Sequence, residues 1–226
     1  MKFTYSIPTK ILFGPGSFND LATTPLPGKK ALVVITAGKS MRANGYLDRL
    51  IDMLDKQGIG HALFDKILPN PVLRHVHEGA ALAREQGCDF VIGLGGGSSI
   101  DSAKSIAVMA KNPGDYWDYI SGGSGKGQPL VNGALPIVAI ATTAGTGTEA
   151  DPWTVITKED TNEKIGFGCA ETFPVLSVVD PEMMLTIPAH LTAYQGFDAL
   201  FHATEGYIAN VATPLSDAYA LKSIEL

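Results

Sequence analysis

The sequence is poor in cysteine, has no long apolar run and shows no excess of basic residues. Its 226 residues include only two cysteines, Cys88 and Cys169, with no CxxC and no pairing pattern. No disulfide framework is indicated, and a reducing, cytoplasmic setting is the default expectation. No apolar segment approaches the ~20 residues a membrane span needs. The opening MKFTYSIPTKILFG lacks the continuous apolar stretch of a secretory signal. Seventeen Lys and Arg face 23 Asp and Glu, a net charge of −6 without any basic run. That balance argues against a nucleic-acid or anionic-membrane partner, either of which needs clustered cations.

What is present is a chain long enough to bury a core in one or two domains. Phe3, Tyr5 and Ile7 alternate with polar residues as in a strand, with Ile11 to Phe13 as a candidate partner. Apolar runs suited to buried strands occur at 29–36, 61–64, 90–94 and 136–141. Between them lie helical patterns: Leu47, Leu50, Ile51 and Leu54 before Gly58, then 73–86 before Gly87, then 98–111. Alternating strands and helices imply an α/β fold with a mostly parallel sheet. Residues 112–133 read as a Gly-rich, poorly structured surface loop. After Asp180 to Pro188 only helical patterns remain, at 191–194, 196–208 and from Thr213-Pro214 onward, a good cap and first turn. The expected division is a nucleotide-binding α/β domain over 1–184 and the start of an all-helical domain over 185–226. The last pattern carries Leu215, Ala218, Leu221 and Leu226 with no stop signal, as if the helical domain were cut off.

Three stretches carry candidate chemistry. In FVIGLGGGSSIDSAK, 90–104, a strand runs into Gly95-Gly96-Gly97 and then a helix. Glycines there let backbone N–H groups approach a ligand, and a helix N-terminus favours an anion such as pyrophosphate. Ser98 or Ser99 is the expected cap, with Asp101 at capping-box spacing from Ser98. A turn without a ligand is the plainer alternative, and no GxGxxG is present. In TTAGTGTEAD, 142–151, the hydroxyls of Thr142, Thr143 and Thr146 interleave with glycines at the end of another strand, where open α/β sheets bind ligands. In GFDALFHATEGY, 196–207, Asp198 and His202 stand i, i+4 and share one helix face. They could hold one iron or zinc ion, or form an ordinary surface pair. Two ligands alone are too few for a catalytic metal.

With these motifs in order, the chain resembles the iron-containing (group III) alcohol dehydrogenase family. The resemblance runs through IPTKILFGPGSF, PNP at 69–71, DFVIGLGGGSSIDSAK, PIVAIATTAGTGTEAD, VVDPEMM and GFDALFHATEGY. It implies a dehydroquinate synthase-like architecture with the site in the cleft between an α/β and a helical domain. By resemblance, Gly96, Gly97 and Ser98 hold the pyrophosphate; Thr142, Thr143 and Thr146 line the cofactor groove; and Lys164 sits near the ribose. Asp198 and His202 match two metal ligands, and Trp153 and Val155 the substrate and nicotinamide pocket. The implied chemistry is hydride transfer between NAD(P) and a small alcohol or aldehyde, with Fe2+ or Zn2+ bound, in a homodimer or larger homo-oligomer. No side chain stands out as a proton donor.

NAD-preferring members resemble one another in an aspartate after the second strand. Here Thr36-Ala37-Gly38-Lys39-Ser40 has no acid before Asp48. Gly38 gives room, and Lys39 and Ser40 could bind a 2′-phosphate, so NADP(H) is favoured. Ala150-Asp151 departs from the usual Val-Thr. The family's two further metal-binding histidines find no match. His61, His75, His77 and His190 are poor substitutes, each expected at the surface or in a loop. The alternatives are a nucleotide-binding remnant without redox activity and a glycerol dehydrogenase-like relative.

Overall fold

The computed structural model describes residues 2–226. The strands are β1 (Lys10–Phe13), β2 (Lys30–Thr36), β3 (Gly60–Ile67), β4 (Phe90–Gly95), β5 (Ile137–Ala141), β6 (Thr154–Lys158), β7 (Glu163–Phe167) and β8 (Leu176–Val179). The helices are α1 (Ser40–Ala43), α2 (Tyr46–Lys56), α3 (Leu73–Glu85), α4 (Gly97–Lys111), α5 (Ala189–Ile208) and α6 (Pro214–Glu225). Six strands form one sheet in the order β1-β8-β5-β4-β2-β3, and β6 and β7 form a separate hairpin. Every pairing in the large sheet is parallel.

The sheet is parallel because its strands are apolar on both faces and each face has helices to cover it. Ala31 to Ile35 of β2 are all buried. On one face Leu47, Leu50 and Leu54 of α2 close a core with Phe18 and Leu21. On the other, α3 and α4 pack with Phe64, Ile67 and Val91. From β2 the chain moves outward to β3, then crosses back to place β4 on the opposite side of β2 and β5 beyond it. The winding therefore reverses between β2 and β4, and such a reversal leaves a crevice at the carboxyl ends of the strands. The segments leaving β2, β4 and β5 are the three loops singled out by the sequence.

The seating of α4 on β4 is unusually close. A Cβ on Gly93 would lie 2.9 Å from Ile100 Cα and 3.0 Å from Ala103 Cβ, so backbone rather than a movable side chain fills the space. The chain turns into the helix at Gly95, whose φ of 147° lies in the region reserved for glycine.

Several expectations need correction. Phe3, Tyr5 and Ile7 are in no strand, and β1 pairs not with them but in parallel with β8. Alternation there reflects no sheet, and the three side chains stay exposed. Residues 112–133 are organised rather than loose. A 3-10 turn at Tyr116–Asp118, capped by the Asp115 side chain, buries Tyr116 and Trp117. The Tyr116 hydroxyl meets Ser105 Oγ at 2.9 Å and Thr154 Oγ1 at 2.8 Å, and Asn112 Oδ1 accepts from the N–H groups of Val131 and Asn132. The patterns at 191–194 and 196–208 are one continuous helix, α5; a single glycine costs a helix only about 1 kcal/mol. His75 is not at the surface but buried on α3, edge-on to Phe64. Thr213 does cap α6, with Pro214 in its first turn.

Two outcomes follow from this packing. Gly93→Ala should lower stability by about 1–3 kcal/mol, the usual cost of overpacking, seen as a lower urea midpoint. Glu163, which accepts from the Ser124 hydroxyl and N–H and from Thr161, is held down to about 2, chiefly by the Ser124 hydroxyl. A carboxyl depressed in the fold stabilises it above its ordinary value of 4.5 and loses that contribution as pH falls toward 2. The urea midpoint of wild type should exceed that of Glu163→Gln at neutral pH, and the gap should shrink progressively below pH 4.5.

Candidate functional site

At the carboxyl edge of the sheet lies an open cavity of about 860 Å³. Its walls come from the PNP loop, the start of α4, the segment 145–155, β7, and one face of α5 and α6. Gly97, Ser98, Thr146, Trp153, Val155, Lys164, Asp198 and His202, all named from the sequence, share it. Thr142 and Thr143 instead line a neighbouring cavity of about 200 Å³ together with Ser40 and Gln195. Gly38 and Lys39 are exposed beyond β2 and border neither of these two spaces.

The turn into α4 is a preformed cradle. The helix N-cap is Gly96, in extended backbone, with no side-chain cap. Ser98 and Ser99 therefore do not cap it as expected. The Ser98 hydroxyl donates to the Pro69 carbonyl, fastening the PNP loop to the helix start, and Ser99 is wholly buried beneath Gly95. The first N–H groups of α4 are left for an outside acceptor, as at an anion-binding helix terminus. A Cβ on Gly96 would come within 2.8 Å of Thr143 Oγ1, and one on Gly97 within 3.1 Å of Thr146 Cγ2. A side chain at Gly96 would displace Thr143, and one at Gly97 would press on Thr146.

Asp101 also departs from its expected capping role. Its Oδ1 accepts from the Thr148 hydroxyl at 2.7 Å and its Oδ2 from Val155 N–H at 2.9 Å. One turn on, Lys104 is completely buried. Its ammonium donates to Thr148 Oγ1 at 2.8 Å, to the carbonyls of Asp151 and Trp153 at 2.8 and 2.9 Å, and to Asp151 Oδ1 at 3.2 Å. Burial pushes the Lys104 ammonium below the ordinary lysine range, opposed by Asp151 and Asp101. Burial likewise pushes Asp101 up, opposed by its Thr148 and Val155 donors. Sequence reasoning did not single out Lys104, Thr148 or this use of Asp101. The available signal was a lysine inside the otherwise small and apolar run IDSAKSIAVMA; such a lysine is rarely buried unless paired.

The hairpin β6–β7 carries Val155 and Lys164 to the cavity, and Lys164 Nζ donates to Asn70 Oδ1 at 3.2 Å. Trp153 is 57% exposed as a residue, and its indole lies against the backbone of Gly168. Opposite, α5 docks on the threonine loop. Gln195 Oε1 accepts from Ala144 N–H at 2.8 Å, and His202 Nδ1 lies 3.0 Å from the Gly145 carbonyl. A carbonyl only accepts, so Nδ1 carries the proton in this bond and Nε2 is the ring nitrogen left for outward contacts, the orientation that backbone carbonyls give to metal-ligating imidazoles. Asp198 Oδ2 lies 4.0 Å from His202 Nδ1 on the same face. Among the described residues no group of three or more His, Cys, Asp or Glu is placed to hold a metal. The pair thus fits part of a divalent cation's coordination, not all of it. His61 lies near Asp55, His77 pairs with Asp115, and His190 packs on Tyr194, so none joins this pair.

Comparison with known proteins decides the family. Residues 8–181 match "Iron-containing alcohol dehydrogenase", and residues 192–226 match "Fe-containing alcohol dehydrogenase family, C-terminal". The chain belongs to the iron-containing alcohol dehydrogenase family. It is 40% identical over 224 residues to a choline dehydrogenase of Bacillus subtilis, covering 98% of this chain and 55% of that protein. It is 37% identical to a 1,3-propanediol dehydrogenase of Klebsiella pneumoniae, covering 99% of this chain and 57% of that protein. Among solved structures, an NADH-dependent butanol dehydrogenase A of Thermotoga maritima superposes with a TM-score of 0.89 at 35% identity, covering 99% of this chain and 55% of that one. The chain therefore spans about half the length of these relatives. The structural agreement bears out the α/β fold class. No helix among the described residues is long and apolar enough to cross a membrane.

The site geometry predicts weak metal binding. Titration with Co2+, followed by its visible absorption, should show saturable but weak binding that His202→Ala and Asp198→Ala each abolish.

Proposed function

We propose that this chain forms the nicotinamide-dinucleotide half of a metal-dependent oxidoreductase acting on a small alcohol or aldehyde. The observation that carries the reading is the single cavity joining the glycine cradle, the Trp153–Val155 wall and the Asp198–His202 face. When bound, the divalent metal supplies Lewis-acid polarisation of the substrate oxygen and the nicotinamide exchanges the hydride. The residues of the chain bind and orient. The free N–H groups at the start of α4 take the pyrophosphate, Thr142, Thr143 and Thr146 line the cofactor groove, and Lys164 serves the ribose. Asp198 and the Nε2 of His202 would hold the metal, Fe2+ or Zn2+. Trp153 and Val155 shield the reacting centre from water, which strengthens the electrostatics there. No side chain of this chain is assigned as proton donor.

The division into an α/β unit over 1–184 and a helical unit over 185–226 belongs to the same reading. So do a cytoplasmic setting and a homo-oligomeric state. The absence of a carboxylate in Thr36–Ser40 supports acceptance of a 2′-phosphate by Lys39 and Ser40. Against this stand the names of relatives, among them an NAD-dependent methanol dehydrogenase of Bacillus methanolicus and a sulfoacetaldehyde reductase of Bifidobacterium kashiwanohense solved with NAD+.

Fluorescence titration with NADPH and NADH tests both levels. Saturable binding of either, lost in Gly96→Val, is expected; binding of neither would overturn the cofactor reading. NADPH should bind more tightly than NADH, and Lys39→Ala should weaken NADPH alone by roughly tenfold, the scale of one charge-assisted contact. Equal affinities, unmoved by Lys39→Ala, would remove the NADP(H) preference.

A further inference from the structure

The ammonium of Lys104 belongs to no ligand-binding surface, yet it is the most heavily bonded side-chain group next to the site. Four acceptors converge on it: Thr148 Oγ1, Asp151 O and Oδ1, and Trp153 O. All four lie on one irregular stretch, 148–153, which has no strand or helix of its own to hold it. The same helix also holds Thr148 at the start of the stretch and Val155 two residues beyond its end, since Asp101 accepts from the Thr148 hydroxyl and from Val155 N–H. Asp101 and Lys104 are three apart and so emerge on one face of α4. Together they grip both ends of the stretch that carries Trp153 into the cavity.

We infer that Lys104 is a positioning residue that hangs the inner wall of the dinucleotide site from the pyrophosphate helix. Its Nζ fixes Thr148 and hence the Thr146–Gly147 turn that lies against Gly97. It also fixes the backbone carbonyl of Trp153, and with it the direction in which the indole leaves the chain. The cradle and the wall are thus set by one rigid element, α4, so their separation does not depend on loop conformation. A cationic group suits this task because carbonyls converging from several directions need several donors, and an ammonium has three with no acceptor. The cost of burying it is offset by Asp151 and Asp101 nearby. A methionine of similar length would keep the volume and take this donor from Thr148 Oγ1 and from the carbonyls of Asp151 and Trp153, while Asp151 Oδ1 would keep only the Trp153 N–H.

This inference rests on the nicotinamide-cofactor reading, and the experiment separates the two. The full 226-residue chain is prepared as wild type, Lys104→Met, Lys104→Arg and Thr148→Val, and each is titrated with NADPH and NADH. Acrylamide quenching of tryptophan fluorescence is read in parallel. Trp117 is buried and Trp153 is 57% exposed, so accessible quenching reports on Trp153. Wild-type binding is the control for the cofactor reading, and its absence would sink that reading and this one together. Given wild-type binding, Lys104→Met should weaken the dinucleotide roughly tenfold or more and change Trp153 quenching. Lys104→Arg should restore part of both. Should Lys104→Met fail to fold, Thr148→Val carries the test, with a smaller loss in the same direction. A folded Lys104→Met, or failing that a folded Thr148→Val, with wild-type affinity and unchanged quenching would overturn the inference.

Discussion

The site depends on how closely α4 lies on β4. Gly93 leaves no room for a Cβ between strand and helix, and Gly95 turns the chain through a conformation other residues avoid. The helix that results is almost wholly buried, from Ser99 to Met109 with only Asp101 half-buried. Its start is aimed at the crevice where the winding of the sheet reverses. A helix so constrained cannot shift to suit its surroundings. Loops without regular structure take their places relative to it.

Three such segments do so by different means. The PNP loop is tied by the Ser98 hydroxyl, and the threonine loop approaches because Gly96 and Gly97 have no side chains. The 148–155 stretch is suspended from Asp101 and Lys104. Helix α5 then reads the outcome at one remove. It touches the threonine loop through Gln195 and His202, and a Cβ on Gly145 would strike Asp198 Oδ2 at 2.8 Å. The same loop that faces the start of α4 thereby orients the His202 imidazole. Beyond this contact α5 and α6 expose Phe197, Phe201, Tyr219 and Leu221, and only Ala220 of the pair is buried.

Much of this was legible in the sequence, for physical reasons that differ by segment. The strands at 30–36, 90–95 and 137–141 showed as apolar runs because both their faces are covered, and Gly58 and Gly87 marked helix ends because they adopt positive φ. The cavity brought together eight of the residues named in advance. What escaped notice was held by long-range bonds. Asp101 looked like a cap because local spacing cannot reveal partners such as Thr148 and Val155, some 50 residues away. The loop 112–133 looked loose because Tyr116 is anchored to Ser105 and Thr154 outside it, and Asn112 ties its start to its far end at Val131 and Asn132. The hairpin β6–β7, with Val155 and Lys164, left little trace because only Thr154 and Ile156 of its residues are buried. The Phe3–Ile7 alternation misled for the converse reason, a local pattern with no sheet to receive it.

The most direct test follows the backbone amides of Gly96, Gly97 and Ser98 by heteronuclear NMR as NADPH or NADH is added. If the turn after β4 is the pyrophosphate cradle, these resonances move first and saturate with the binding curve, and inorganic pyrophosphate moves the same set. If the dinucleotide binds while these amides stay still, the cradle lies elsewhere and the central claim is wrong.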